Sequence, residues 1–197
     1  SSAPPLGAVG TPARRARRAG AAPWVASTSD LNAEAWCLAC DPTGDTVFAG
    51  GEDGAAIAWD PRYRHAAWRA DACPSGRGVH ALSVMPCRTR VAAACGDGVV
   101  RTLELRMCGE SSAEMNLGIG PLSCVLANGA RGVLAGGKKH EGIVAWDPDG
   151  FHPERCFRVA GVDGPRGAGV SCASVASDGG ALVLGWDDGS VGVFAET

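Results

Sequence analysis

The sequence has few of the features that mark the commonest functional classes. Aromatic residues make up 6% of its 197 residues, with a single tyrosine and only four histidines. The 18 Lys and Arg stand against 21 Asp and Glu, for a net charge of −3. A general nucleic-acid binder is strongly basic, so this balance argues against one. No apolar run approaches the roughly 18 residues that a membrane-spanning helix needs, which argues against a membrane partner. From the charge balance and the lack of such a run, we expect neither a nucleic acid nor a membrane as partner.

Catalytic motifs are equally scarce. The chain contains no G-x-S-x-G nucleophile elbow, no P-loop and no G-x-G-x-x-G that opens a helix. Its histidines, at His65, His80, His140 and His152, lack the spacing of a metal site. We therefore expect no cofactor and no bound metal, and the motifs identify no catalytic residue.

The nine cysteines are an odd number and are scattered along the chain without a preceding secretory segment. This usage predicts reduced thiols in an intracellular, cytoplasmic protein. Cys37 and Cys40 form a CxxC, but residues three apart on a strand face opposite sides of the sheet. We therefore expect neither zinc binding nor redox chemistry from this pair.

The first residues differ in composition from the rest. Residues 1–29 contain four arginines and no acidic residue, among many Ala, Pro and Gly. Such a segment cannot bury enough apolar surface to offset its ordering entropy, so residues 1–22 are predicted to be a disordered leader. Two alternatives stay open: a targeting signal, which would place the protein in an organelle or the nucleus, or an arm for an acidic partner.

The remainder contains an internal repeat. Four segments of equal length align without gaps, and the unit recurs every 43 to 48 residues. The segments are Trp36–Asp60, His80–Glu104, Ser123–Asp147 and Ser171–Ala195. One column of the alignment holds Trp59, Leu103, Trp146 and Phe194, and another holds Cys37, Ala81, Cys124 and Cys172. We expect the first of these columns to form the core.

Each unit predicts a small antiparallel sheet. In the first, apolar runs at Trp36–Cys40, Thr46–Ala49 and Ala55–Trp59 are separated by turn residues. The second turn contains Asp-Gly, a strong hairpin signal. A weaker fourth run follows in three of the units, at Ala67–Arg69, Met115–Leu117 and Cys156–Val159. The prediction is an all-β chain of four-stranded sheets.

These residues resemble the WD40 β-propeller family over roughly residues 31–197. The WD dipeptide occurs at Trp59-Asp60 and Trp146-Asp147, and Asp-Gly stands at the turn before the third strand in three repeats, at Asp53, Asp97 and Asp188. The repeats are degenerate: the Gly-His that usually precedes each one is missing, His140 replaces the turn Asp, and Leu103-Glu104 replaces WD. The resemblance implies a propeller over residues 23–197, with blades at about 31–70, 78–117, 120–160 and 168–197.

Four blades allow three interpretations, because the ring of this family most often contains seven blades. The chain is part of a longer protein, forms a small ring of its own, or needs a partner to complete the ring. Residues 23–27 are candidates for the outer strand of the last blade or of a preceding one. An incomplete ring would expose an apolar face and a strand edge, which favour association.

The propeller frame predicts where a partner binds. In such blades the loop before the innermost strand and the turn before the third strand share one face. Trp36 and Trp186 replace smaller residues there, and an exposed aromatic among charges suits a peptide hot spot; packing between blades is the alternative for both. The predicted face comprises Glu34, Trp36, Glu52, His80, Lys138, Lys139, His140, Trp186 and Asp187, with Arg166 beside it. Structural roles are predicted for Asp53, Trp59, Asp97, Trp146, Asp188 and Phe194.

A narrower resemblance covers about one blade. Glu34-Ala35-Trp36, Asp53-Gly54 and Trp59-Asp60 followed by Arg62 are similar to a blade of the WD-repeat diphthine methyl esterase family. That resemblance implies a hydrolase of diphthamide biosynthesis acting on a translation elongation factor, with His80 and His140 as its only histidine candidates. It predicts a polar, solvent-filled funnel, whereas a scaffold predicts an exposed apolar or aromatic patch.

The function that the sequence favours is binding. A degenerate propeller predicts a rigid interaction scaffold for a peptide or protein subunit in an intracellular complex, with specificity supplied by its loops. The esterase is the alternative, and a fragment without independent function is the third hypothesis.

Overall fold

A computed structural model describes residues 31, 33–63, 65–128, 132–150, 152–176 and 180–195. The predicted leader at residues 1–22 and the candidate outer strand at residues 23–27 lie outside these ranges. Fifteen strands and one short 3₁₀ helix, Leu105–Met107, make up the regular structure of the described part. The all-β prediction is confirmed.

The strands form four antiparallel sheets in chain order, which we call blades 1 to 4. Blade 1 contains β1 (Ala35–Cys40), β2 (Val47–Gly51), β3 (Ala55–Trp59) and β4 (Trp68–Asp71). Blade 2 contains β5 (Val79–Val84), β6 (Arg90–Cys95), β7 (Val99–Glu104) and β8 (Glu110–Asn116). Blade 3 contains β9 (Leu122–Asn128), β10 (Gly132–Gly137), β11 (Gly142–Trp146) and β12 (Cys156–Asp163). Blade 4 contains β13 (Val170–Val175), β14 (Ala181–Trp186) and β15 (Val191–Ala195), with no fourth strand among the described residues.

The turns before the third strands explain the repeated Asp-Gly. An Asp carboxylate oxygen accepts the backbone N–H two residues later, at 3.0 Å for Asp53 to Ala55, 3.0 Å for Asp97 to Val99 and 2.9 Å for Asp188 to Ser190. The glycine that follows each Asp has φ between 84° and 87°, a conformation that favours glycine. Each of the three Asp side chains therefore stabilises the turn of its hairpin, which is the structural role predicted for them.

His140 takes the same place in blade 3. Its Nδ1 lies 3.3 Å from the Gly142 nitrogen and 3.0 Å from the Gly142 carbonyl oxygen. The imidazole is thus the side-chain partner of the residue two positions on, as the Asp is in the other blades. The ungapped alignment is wrong by one residue within this blade, because Ala135 rather than Gly136 pairs with Val144. The turn after β10 is accordingly one residue longer than those of blades 1 and 2.

Apolar cores lie between consecutive blades. In the described residues they join blade 1 to 2, blade 2 to 3 and blade 3 to 4, and no comparable core joins blade 4 to blade 1. Many of the buried side chains are Ala, Val or Cys, which lets neighbouring sheets approach closely. Because side chains alternate along a strand, each inner blade packs one face on each neighbour.

The predicted core column is only partly buried, which corrects the prediction. Trp146 and Leu103 are fully buried, but Trp59 and Phe194 are half-buried. Trp59 lies on the face of blade 1 that points away from blade 2, and Phe194 lies on β15, the last described strand of its sheet. Position in the row of blades, rather than residue type, decides their burial.

Candidate functional site

The first residue of each repeat segment lines one open pocket. Its volume is about 330 Å³, and its lining residues are Trp36, His80, Ser123, Ser171 and Lys138. The first four are each the second residue of the innermost strand of a blade. Four equivalent positions therefore converge where the inner strands begin.

A β-bulge turns each of these four residues out of its ladder. In blade 1, Ala35 pairs with Gly51 and Cys37 with Gly50, so Trp36 is the extra residue. The same irregularity leaves His80, Ser123 and Ser171 unpaired in blades 2 to 4. Bulges commonly re-aim a side chain next to a functional site, and here they direct four side chains toward one pocket.

Two of the bulged residues also fasten neighbouring blades. His80 Nδ1 lies 2.6 Å from the Leu122 carbonyl oxygen, so that nitrogen donates to blade 3. Ser123 Oγ donates to the Val170 carbonyl of blade 4. The lining of the pocket is thus held in place by contacts between blades, which makes it a rigid surface.

Trp36 is the most prominent apolar group of the pocket. Its side chain is 44% exposed, and its ring packs against His80 with centroids 5.3 Å apart. Gly78 lies beneath it, where a Cβ would come within 2.4 Å of the indole. The absence of a side chain at Gly78 therefore makes room for the indole ring of Trp36.

Lys138 supplies the positive charge of the pocket. It is exposed and belongs to the longer turn after β10. No carboxylate is present among the lining residues, so the described pocket combines one aromatic ring, one cation and hydroxyl or imidazole groups. This arrangement suits an apolar side chain with an acidic group nearby.

The structure brings together only part of the predicted face. Trp36, His80 and Lys138 line the pocket, whereas six other predicted residues do not: Glu34, Glu52, Lys139, His140, Trp186 and Asp187. Glu34, Glu52, Lys139, Arg166 and Asp187 are exposed, and His140 is partly buried in its turn. Ser123 and Ser171 line the pocket although they were not predicted to, and only their shared position in the first column of the repeat pointed to them.

Trp186 is a packing residue, the alternative that the sequence left open. It is 6% exposed and belongs to the core between blades 3 and 4. Its Nε1 donates to the Glu141 carbonyl at 2.8 Å, and its ring lies over Gly164. The prediction that it contributes to a binding face is therefore wrong. Asp187, next to it, accepts the Gly169 N–H at 3.0 Å and holds a loop.

The geometry offers little for ester hydrolysis. His80 places Nδ1 against a backbone carbonyl rather than a carboxylate, so nothing in the described structure orients it as the base of a triad. Burial raises the pKa of the Cys37 thiol, beside Trp36, to about 11 despite a backbone hydrogen bond. A thiol that stays protonated at neutral pH is a poor nucleophile.

A cluster of polar groups lies at the core between blades 1 and 2, and the sequence did not predict it. Cys73, Cys95 and Asp97 place ligand-type atoms within 4.8 Å of one another. The Arg101 guanidinium donates to Asp97 at 3.0 Å and supplies the positive charge there. Burial, together with Cys73, raises the pKa of Cys95 to about 12, so this thiol stays neutral. The cluster as folded is an Arg–Asp pair flanked by thiols.

Comparison with known proteins identifies the fold through similar solved structures. No family model and no curated protein matches the sequence. The computationally designed Ika4 protein is 18% identical with a TM-score of 0.68, over 88% of this chain and 98% of that chain. The fold is a WD40-like β-propeller.

Two natural propellers support this assignment. The Cps50 (Swd1) β-propeller domain of Myceliophteria thermophila is 17% identical with a TM-score of 0.66, over 83% of this chain and 52% of that chain. A chain of the mitotic checkpoint complex is 14% identical with a TM-score of 0.69, over 83% of this chain and 49% of that chain. The WD40-like chain spans about half the length of these two. The comparisons give the diphthine methyl esterase resemblance no support.

The described helical structure contains no segment long and apolar enough to cross a membrane.

Proposed function

We propose that the protein is an interaction scaffold that binds a peptide segment of a partner protein at the pocket. The observation that carries the proposal is the convergence of Trp36 and Lys138 on one pocket whose walls are fastened by contacts between blades. The structurally similar chain of the mitotic checkpoint complex belongs to a protein assembly, which is consistent with a protein partner. The proposal retains a cytoplasmic complex as its setting.

The chemistry of the pocket specifies the peptide. An exposed aromatic ring in a rigid surround is the usual anchor of a binding hot spot, because it buries a large area at low entropic cost. Lys138 favours a carboxylate or phosphate a short distance from the group that packs on Trp36. The preferred ligand is thus an extended segment with one apolar or aromatic residue near an acidic one.

A displayed peptide library tests the proposal. Peptides selected on the full chain are expected to contain such a pair, and Trp36→Ala is expected to weaken the best of them at least about tenfold, near 1.4 kcal/mol. Lys138→Ala should weaken binding less and reduce its dependence on salt. Isothermal titration calorimetry provides the dissociation constants.

Matched controls come from the same molecule. Tyr63 is an aromatic residue away from the pocket that is 66% exposed, more than Trp36, and Lys139 is an exposed lysine next to Lys138 that does not line it. Tyr63→Ala and Lys139→Ala are expected to leave affinity unchanged. Selected peptides that bind the Trp36 variant as well as the original chain would refute the proposed site.

A further inference from the structure

The two ends of the row of blades expose apolar side chains. On blade 1, Leu38 is 69% exposed and Cys40 is exposed, although Ala49 and Ile57 on the same face are buried. On blade 4, Val191 and Val193 are 71% and 68% exposed. Both patches lie on sheet faces, where inner blades would pack on a neighbour.

Inside the row, the equivalent side chains are covered by the next blade. Leu82 and Val84 of blade 2 occupy the positions of Leu38 and Cys40, and they belong to the core with blade 1. Ile143 and Ala145 of blade 3 occupy the positions of Val191 and Val193, and they belong to the core with blade 4. Each exposed patch is therefore one half of a junction that the molecule already makes elsewhere.

The two halves match each other. At the blade 1–blade 2 junction, Ala58 and Leu82 share one core, and at the blade 3–blade 4 junction Ala145 and Ala173 do. The same pair of repeat positions is occupied by Val193 at one end of the row and Leu38 at the other. The exposed face of blade 4 can therefore pack on the exposed face of blade 1 as consecutive blades pack inside the row.

The hydrogen bonds that link consecutive blades have an unused equivalent in blade 4. His80 and Ser123 each contact the carbonyl at the start of the next blade, Leu122 and Val170 respectively. Ser171 is the equivalent residue of blade 4, and its hydroxyl has no hydrogen-bond partner among the described residues. The matching carbonyl on blade 1 belongs to Ala35.

We propose that a second copy of this chain covers these faces, with blade 4 of each copy packed on blade 1 of the other. The two copies are related by a two-fold axis, so both junctions are identical and no end face is left over. Four blades from each copy make a ring of eight, within the range of propellers, which have four to eight blades. Ser171 of each copy then donates to the Ala35 carbonyl of the other.

The solution mass of the full chain tests this arrangement. Light scattering after gel filtration at micromolar concentration is expected to give twice 19.9 kDa. Leu38→Lys and Val193→Glu are each expected to give monomers, because a charge then faces an apolar patch at both junctions. Met107→Lys, at an exposed methionine of the 3₁₀ helix of blade 2, is the matched control and should remain dimeric.

Mixing the two variants makes the test specific. A heterodimer of the Leu38→Lys chain and the Val193→Glu chain has one unaltered junction and one in which Lys meets Glu. Equimolar mixing is therefore expected to restore the dimer mass, and a tag on one variant should recover the other at a one-to-one ratio. Restoration also shows that both variants are folded.

Three results would overturn the proposal. The first is a monomeric original chain, which would mean that the chain itself or nothing covers the faces. The second is a larger open oligomer, which would mean that the ends do not close after two copies. The third is a pair of variants that unfold cooperatively by circular dichroism yet stay monomeric when mixed.

Discussion

Trp146→Ala is expected to lower the free energy of unfolding by about 3–5 kcal/mol, the range measured for large aromatic residues truncated in a core. The Trp146 side chain is 1% exposed and fills the core between blades 2 and 3. Its Nε1 also donates to the Pro153 carbonyl at 2.8 Å, and the substitution removes that bond. Urea unfolding followed by circular dichroism measures the loss.

Trp59 is the matched control for this prediction. It occupies the same position in blade 1, and its Nε1 donates to the Tyr63 carbonyl at 2.7 Å, as Trp146 does to Pro153. It is only half-buried, because no described blade covers its face. In the monomeric Leu38→Lys background, where no second copy covers that face, Trp59→Ala is therefore expected to cost clearly less than Trp146→Ala. Equal losses would show that the tryptophan column acts through its hydrogen bond rather than through packing between blades.

Arg101→Met is expected to destabilise the protein by about 1–3 kcal/mol, because it leaves the partly buried Asp97 carboxylate without its charged hydrogen-bond donor. Arg101 is 8% exposed and donates to Asp97 at 3.0 Å and to Glu114 at 3.1 Å. Methionine preserves much of the side-chain volume but leaves the Asp97 charge without its cation. The measurement is again the free energy of unfolding at neutral pH.

The dependence on pH distinguishes this charge effect from lost packing. Burial raises the pKa of Asp97, but hydrogen bonds from the Val99 N–H and Arg101 outweigh burial and hold the pKa below its ordinary value. A lowered folded-state pKa stabilises the protein above the unfolded-state pKa, and that stability is lost as the pH falls through the folded-state value. The difference between Arg101→Met and the original chain should therefore shrink below about pH 4.

An exposed ion pair provides the comparison for Arg101. Arg158 donates to Asp163 at 2.7 Å, and both side chains are about half exposed. Solvent screens such pairs, so Arg158→Met is expected to cost less than about 1 kcal/mol and to show little change with pH. A loss for Arg101→Met that stays constant down to pH 3 would assign its role to packing.

The predictable part of the fold rested on local signals. Alternating apolar residues and the Asp-Gly turns at Asp53, Asp97 and Asp188 act within a few residues of themselves, so strands and hairpins follow from short stretches of sequence. The site was harder to predict because its members come from different blades. Ser123 and Ser171 carry no local signal of function; they matter because bulges in four separate sheets converge on one pocket.

The sequence by itself determined the repeat, the strand pattern and the turn chemistry, including the place that His140 takes in its hairpin. Only the tertiary structure decided which of two similar tryptophans is available to a partner. Trp36 and Trp186 both stand near the same end of their blades, yet the first is 44% exposed and the second 6%. The core between blades 3 and 4 encloses Trp186, whereas Trp36 projects from a bulge into an open pocket. That difference depends on contacts between residues far apart in the chain, which local periodicity does not encode.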